Sequence, residues 1–530
     1  MAITVYDTTL REGIQSSGLW LTVEDKLKIV RLLDRLGVHY IEAGNPAANQ
    51  KDAMFFQRAR GLELHHAKLA AFGSTCRKGV PPYEDENIKA LLAADTPVVC
   101  VFGKCWDYHV ERILGADLLE NLGLIADTVG YLKGMGKEVV FDGEHFFDGY
   151  KHNPEYAMAC IHAAAGSGAD AVYLCDTNGG CFPHEIQEMV EAALVCRSPI
   201  GIHTHNDTGM ADANTISAIR AGAMGFQATI GGSGERCGNA NLFTMIADLT
   251  LKLGYDTIPK ERIGDLYRAN AVFFETANLK ELPTVPYVGK HAFYHKAGMH
   301  VDAILKAPEA MEHINPELVG AHRETAISDI AGSKAMWERM RRAVPGIQRE
   351  DPAVAQVLGR IKEMELDGYQ FEGADASLEL LIRRNLGLFC PHFDLIAFKV
   401  LVEEPNLHKG VCLATMEIGV KGEVEITAAQ GNGPVNALDN AARKALERFY
   451  PRLREMYLTD FKVRVLDSQN ATASEVRVVI ETRDGTSAWS TVGVSADVIN
   501  ASWIALMDSI EYKLLKDERE GCGNLPQTAL

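Results

Sequence analysis

Ile200-Gly-Ile-His-Thr-His-Asn-Asp207 is a short apolar run that ends in two histidines one residue apart. In an extended strand side chains alternate faces with period two, so His203 and His205 project the same way and their imidazoles converge on one point, as metal ligands must. Two packed structural histidines would have the same spelling. What decides between the readings is what the rest of the chain brings to the same level of the fold.

Working outward, the first 255 residues contain further apolar runs that break off at polar residues or glycine. Ile3 and Val5 precede Thr8, Tyr40-Ile41 stops at Glu42, Leu69 to Phe72 at Gly73, and Val98 to Phe102 at Gly103. Val139 to Phe141 stops at Asp142 to Glu144, Ala171 to Cys175 at Asp176, and Gly225 to Ile230 at Gly231. Helix-period segments lie between them. Thr22 reads as the N-cap of a helix reaching Leu36, with Asp25 at its third position and Leu27, Val30, Leu33 and Leu36 on one face. Asn153-Pro154 opens another helix that Gly166 closes, and Pro183 opens the next. Eight strand–helix units in about 250 residues predict a TIM (β/α)8 barrel rather than an open doubly wound sheet.

Active sites of this fold gather at the C-terminal ends of the strands. Arg11 and Glu12 follow the first strand, Glu42 the second, Glu144 and His145 the fifth, and Asp176 and Thr177 the sixth. His203 and His205 end the seventh, and Glu235, Arg236 and Asn239 follow the eighth. Loops are polar by default, but groups with metal-ligand chemistry at most of the strand ends favour one shared site. Gly231-Gly-Ser-Gly234 and Gly238 miss the G-x-G-x-x-G spacing and follow the last strand, so they read as a loop facing the barrel mouth, able to approach an anion, and not as a dinucleotide fingerprint.

Composition narrows the field. With 530 residues, 47% hydrophobic and 23% charged, the chain has material for two or three domains. Lys+Arg 53 against Asp+Glu 71 gives a net charge of −18 with no basic run, which disfavours nucleic acid and anionic membranes as partners. Eleven cysteines without a CxxC pair, no signal peptide and no long apolar run make a reducing cytoplasm the expected compartment. Cys76, Cys100, Cys105, Cys175 and Cys237 read as small buried hydrophobes.

Three motifs carry a family resemblance: Asp7-Thr-Thr-Leu-Arg-Glu-Gly-Ile-Gln15, the His203 to Asp207 run, and Gly234-Glu-Arg-Cys-Gly-Asn-Ala240. In that order they resemble the signatures of the acyl-CoA condensing enzymes that include 2-isopropylmalate, homocitrate and citramalate synthases. Phe102 to His109, Asp142 to Tyr150 and Leu174 to Gly180 resemble the long citramalate synthase subgroup, whose substrates are pyruvate and acetyl-CoA. The resemblance implies a divalent metal (zinc, manganese or magnesium) held by Glu12, His203 and His205, with Asn239 at or beside it. Arg11 would stabilise the developing oxyanion, and Thr177 would hold the keto-acid carboxylate. Glu144 is the implied base or relay. His295-Lys-Ala-Gly-Met-His-Val-Asp302 is similar to a motif beyond the barrel, which makes His300 a candidate base on acetyl-CoA and Asp302 a candidate substrate contact. Glu12 stands where many relatives have aspartate. Met311 stands where relatives often carry tyrosine, and Ala331-Gly-Ser-Lys334 replaces a more usual Ser-Gly-Arg, changes that bear on acyl-CoA contacts rather than on the metal.

Residues 1–275 are thus expected to form the barrel and 276–389 mostly helical linker subdomains, including Ala335 to Ala343 and Pro352 to Met364. Residues 390–515 are expected to form an α+β regulatory and dimerisation domain. Within it Thr415 to Ile426, Gln430 to Pro434 and a helix from Val435 to Leu446 are echoed by Glu475 to Glu481, Ala488 to Val494 and a helix from Ala496 to Lys513. The resemblance implies a homodimer or higher homo-oligomer and feedback by isoleucine or leucine. Alternatives that share these residues are a sister synthase acting on a longer 2-keto acid, a lyase of the same superfamily, and a silent metal and amino-acid sensor. The sensor reading suffers from Arg11, Glu12, Glu144, His203, His205 and His300 all being present together.

Overall fold

Short parallel strands hide both faces only if helices cover the outside and side chains fill the inside, and the first part of the chain does both. In the computed structural model β1 (Thr4–Asp7), β2 (Tyr40–Glu42), β3 (Lys68–Ser74), β4 (Val98–Lys104), β5 (Glu138–Glu144), β6 (Ala171–Asp176), β7 (Ile200–Thr204) and β8 (Gly225–Ala228) form a closed barrel in sequence order. Thr4 to Asp7 pairs in register with Gly225 to Ala228 to close it. The structure describes residues 1–522, apart from 296–299, 301, 302, 305, 326–336, 338, 339, 342, 345, 372, 403–411, 467–473 and 486.

Helix Val23–Leu36 begins as the sequence predicts: Thr22 and Asp25 form a capping box, and Leu27, Val30, Leu33 and Leu36 are buried against the barrel. Inside the barrel Tyr6, Ala70, Val98, Cys100, Val140 and Tyr173 pack together. The Tyr173 ring needs the two glycines beside it, since a Cβ on Gly201 would stand 2.4 Å from that ring and one on Gly225 2.7 Å from its hydroxyl. This plug closes the bottom of the barrel, and the polar strand ends lie at the top.

The chain divides into two units, residues 1–293 with 314–323, and residues 294–313 with 324–530. In the second, β9 (Tyr294–His295) pairs with β10 (Glu324–Thr325), and helices Pro352–Leu366 and Asp375–Asn385 follow. The helical reading of 276–389 applies to those two helices. Before Pro352 the described residues are largely turns, since Pro283, Pro286, Gly289, Pro308, Pro316 and Gly320 interrupt any helical period. Most of the helix read at Ala335 to Ala343 lies outside the described residues.

β11 (Asp394–Val402), β12 (Cys412–Val420) and β13 (Glu423–Gly431) form an antiparallel sheet followed by helix Pro434–Leu446. β14 (Tyr457–Val465), β15 (Val476–Arg483) and β16 (Ala488–Ser495) repeat it, followed by helix Val498–Cys522. Each sheet buries alternate residues beneath its helix; along β12 these are Cys412, Ala414, Met416, Ile418 and Val420. Among the described residues no helix is long and apolar enough to cross a membrane.

Candidate metal centre

His203 lies on β7 and His205 just past its end, and the two-residue period turns both into the mouth, each 5% exposed. Their Nε2 atoms are 3.2 Å apart, and Glu12 Oε1 lies 3.8 Å from His205 Nε2. Glu12 arrives from β1 through a tight turn in which its N–H donates to Thr8 O at 2.8 Å. One ligand atom from each of the three residues lies within 4.8 Å of the others. Two imidazole nitrogens bound to one tetrahedral ion at about 2.0–2.1 Å would stand about 3.3 Å apart, close to the observed spacing. Two nitrogens and a carboxylate oxygen suit several divalent ions.

The protonation states fit as well. Burial, then His203, pushes His205 down to about 3, and burial lowers His203 too, so both rings are neutral and carry a free lone pair. Burial alone would raise the Glu12 carboxyl, but Arg11 and the two histidines outweigh it and hold it below the usual range. Asn239 completes the neighbourhood: it bridges to His205 in the backbone, and its Nδ2 is 3.2 Å from His203 Nε2. Asn239 Oδ1 is buried without a hydrogen-bond partner among the described residues, an acceptor available to a cation or its water. A Cβ on Gly234 would fall 2.0 Å from that oxygen, which explains a glycine at that point of the loop.

Arg11 is clamped. Its Nε donates to Glu42 Oε1 at 2.6 Å, its terminal nitrogen pairs with Glu12, and its guanidinium lies 3.8 Å above the Phe72 ring. Burial works against the charge, and Glu42 and then Glu12 outweigh it, so the cation is permanent. Glu42 also accepts from the Tyr6 hydroxyl at 2.9 Å.

A second polar group occupies the ends of β4, β5 and β6. Glu144 is the last residue of β5, and its Oε2 lies 2.5 Å from Lys104 Nζ, outside hydrogen-bond direction. Thr177 is half-buried, and its hydroxyl oxygen accepts from the His145 N–H at 2.9 Å, which leaves the hydroxyl proton to donate elsewhere. His145 contacts Asp148 at 2.8 Å and lies 4.2 Å, ring to ring, from His109. Arg236 binds Asp207 at 2.8 Å and Thr177 O at 2.7 Å, tying the glycine loop to β6.

The first unit thus brings together Arg11, Glu12, His203, His205 and Asn239, with Glu144 and Thr177 on neighbouring strand ends. His300 is exposed in the second unit, and Asp302 and residues 331–334 lie outside the described residues. Cys76, Cys100, Cys105 and Cys175 are buried, but Cys237 is exposed, against the sequence reading. The reason is local: it follows Arg236, whose φ of 55° turns the loop outward. Lys104 and Gln227 do not stand out as site residues in the sequence. Their signal was a lone cation ending the apolar β4 and a lone amide inside β8.

Family models match residues 2–267 as HMGL-like, residues 287–368 as homocitrate synthase post-HMGL domain-like, and residues 372–514 as the LeuA allosteric (dimerisation) domain. The (R)-citramalate synthase of Aquifex aeolicus is 48% identical over 98% of this chain and 99% of its own. That of Geobacter sulfurreducens is 48% identical over 97% and 98%, and that of Streptomyces coelicolor 45% over 97% and 96%.

Proposed function

This chain belongs to the HMGL-like family, and from that premise we propose that it is a metal-dependent acyltransferase that condenses acetyl-CoA with pyruvate to give (R)-citramalate and free CoA. The observation that carries the reading is the buried Glu12, His203 and His205 cluster beside a clamped Arg11, in a chain similar over nearly its full length to citramalate synthases.

Carbon–carbon bond formation needs an electrophilic keto carbon, a deprotonated thioester methyl and a stabilised alkoxide. A divalent ion bound by Glu12, His203 and His205 would supply Lewis acidity to the keto carbonyl, zinc, manganese and magnesium all being compatible with the donors. Arg11 meets the alkoxide charge, and its guanidinium is already held by Glu42 and stacked on Phe72, so little reorganisation is required. Thr177 donates to the keto-acid carboxylate. The methyl proton passes to a base, for which Glu144 and His300 are the candidates, and Lys104 Nζ stands 2.5 Å from Glu144 Oε2. The base returns that proton to the alkoxide to give the hydroxyl, and water then cleaves the thioester to the carboxylic acid and free CoA thiol. Asp302 is assigned a substrate contact on the resemblance alone.

The two sheet-and-helix repeats support a homodimer with an amino-acid feedback site, isoleucine being the effector that fits a route from citramalate and leucine the alternative. Val424, Ile426, Tyr457 and Phe461 are exposed on these sheets, an apolar surface that a second copy would cover. The cytoplasm is the proposed compartment.

The test is thiol release from acetyl-CoA with pyruvate, 2-ketobutyrate, 2-ketoisovalerate and 2-ketoglutarate in turn. Pyruvate should give the highest kcat/KM. Preference for a longer acid assigns the chain to a sister synthase, and no release with any of them refutes the enzyme reading.

A further inference from the structure

The two histidines of the centre are held differently. His203 Nδ1 lies 2.7 Å from Gln227 Oε1, and Gln227 Nε2 donates to Asp142 Oδ1 at 2.9 Å. His205 Nδ1 is buried with no hydrogen-bond partner among the described residues. His203 and Gln227 are register partners on β7 and β8, and Asp142 reaches them from β5, so the row of three crosses the inside of the barrel. All three are at most 5% exposed.

The middle member of this row has two unlike ends, and its neighbours are satisfied in one orientation. Asp142 Oδ1 accepts, so it takes the amide N–H and turns Gln227 Oε1 toward His203. An oxygen beside Nδ1 requires a proton on Nδ1, which leaves the ring's lone pair on Nε2. That nitrogen is the one 3.2 Å from His205 Nε2 and 3.2 Å from Asn239 Nδ2, a donor that itself needs a lone pair to face. With the amide turned over, an N–H would face Nδ1, the ring proton would sit on Nε2, and His203 could not bind a cation through it. The uncharged amide also suits its surroundings, since Glu42, Cys100 and Asp142 already lie within 4.8 Å of one another and a carboxylate at position 227 would add a further buried negative charge.

We propose that Asp142 and Gln227 are positioning residues that set His203 in its Nδ1–H tautomer and aim its Nε2 lone pair at the metal centre. The inference rests on the Glu12, His203 and His205 reading above. It makes the two ligands unequal: His203 is oriented before the metal arrives, whereas His205 is not.

The test uses the full chain and Co2+ alone as probe. Competition with a chelator gives the Co2+ dissociation constant, and the visible spectrum reports the coordination. Q227L removes the acceptor and should weaken Co2+ binding by about 10- to 100-fold. The double variant D142N/Q227E reverses the polarity of the row while keeping an acceptor at His203, and should bind Co2+ within about threefold of the unaltered chain on the same argument. Q227L within about twofold of the unaltered chain, or a double variant no tighter than Q227L, overturns the proposal. In the metal-free protein, 15N imidazole shifts, assigned by difference with H203Q, should show Nδ1 protonated and Nε2 bare. The reverse tautomer overturns the proposal however the variants fold. An unaltered chain that binds no Co2+ would sink the metal reading instead, and the tautomer measurement would still decide this one.

Discussion

Lys26 provides a demanding test of how the site is supported. Its side chain is fully buried and Asp52 nearly so, with Nζ 2.6 Å from Asp52 Oδ1 and donating to Ala43 O at 2.9 Å. Asp52 also accepts from the Asn45 N–H at 3.0 Å and from Asn49 Nδ2 at 3.2 Å. The pair therefore anchors the turn that follows Glu42, the carboxylate that holds Arg11. Lys26→Met keeps the stem and deletes the charge, leaving Asp52 buried and short of its counter-ion. Removing one partner of a buried pair costs about 3–5 kcal/mol, where an exposed pair is worth at most about 1 kcal/mol. A chain of two units does not unfold in one step, so the relevant quantity is the barrel's own calorimetric transition. At about 2 °C per kcal/mol for a unit of this size, its midpoint should fall by ~6–10 °C. The double variant Lys26→Met/Asp52→Asn should recover more than half of that loss, because the stranded charge is gone, and kcat should fall in the single variant as the brace on Arg11 loosens. A drop below about 2 °C, or a double variant that is simply additive, would refute the argument.

Metal binding should appear as stability as well as activity. Dialysis against a chelator should abolish turnover, and an ion restored at 100 times its Kd should stabilise the barrel by about 2.7 kcal/mol, or ~5 °C, with His203→Ala losing both effects; a His203→Ala protein that keeps full metal stoichiometry contradicts the ligand set. In the second unit, His392 Nδ1 lies 2.5 Å from Glu511 Oε2, and although burial pushes the imidazole down, Glu511 outweighs it and the pKa is raised above 6.5. A raised histidine contributes stability that is fully present below its unfolded value and is lost as pH rises through the folded one. The transition of the second unit should therefore fall as the pH is raised above 6.5, and His392→Gln should flatten that part of the profile; an unaltered chain with no such slope would disprove the coupling.

Much of the site was readable before any coordinates. Glu12, His203 and His205 meet because strand alternation and the strand-end rule both act through sequence position, so the barrel reading alone puts them at one level. Cys237 departed from its reading because burial follows the local path of a loop, and one positive φ reversed it. Lys104 with Glu144, and Asp142 with Gln227 and His203, are pairings between strands whose positions along the chain have no fixed relation. Each depends on the register of neighbouring strands, on which side chain faces inward, and on the room that Gly201 and Gly225 leave for Tyr173.

By itself, then, the sequence determined the barrel, its polar rim, the residue types of the candidate metal centre and the repeated sheet-and-helix units beyond it, because periodicity, caps and strand ends are properties of neighbouring residues. Tertiary structure alone decided which rim groups touch, that Arg11 is held by Glu42 as well as Glu12, and that His203 Nδ1 meets Gln227 whereas His205 Nδ1 has no partner among the described residues. Those are matters of a few tenths of an ångström across the barrel, set by how eight strands close on their packed interior.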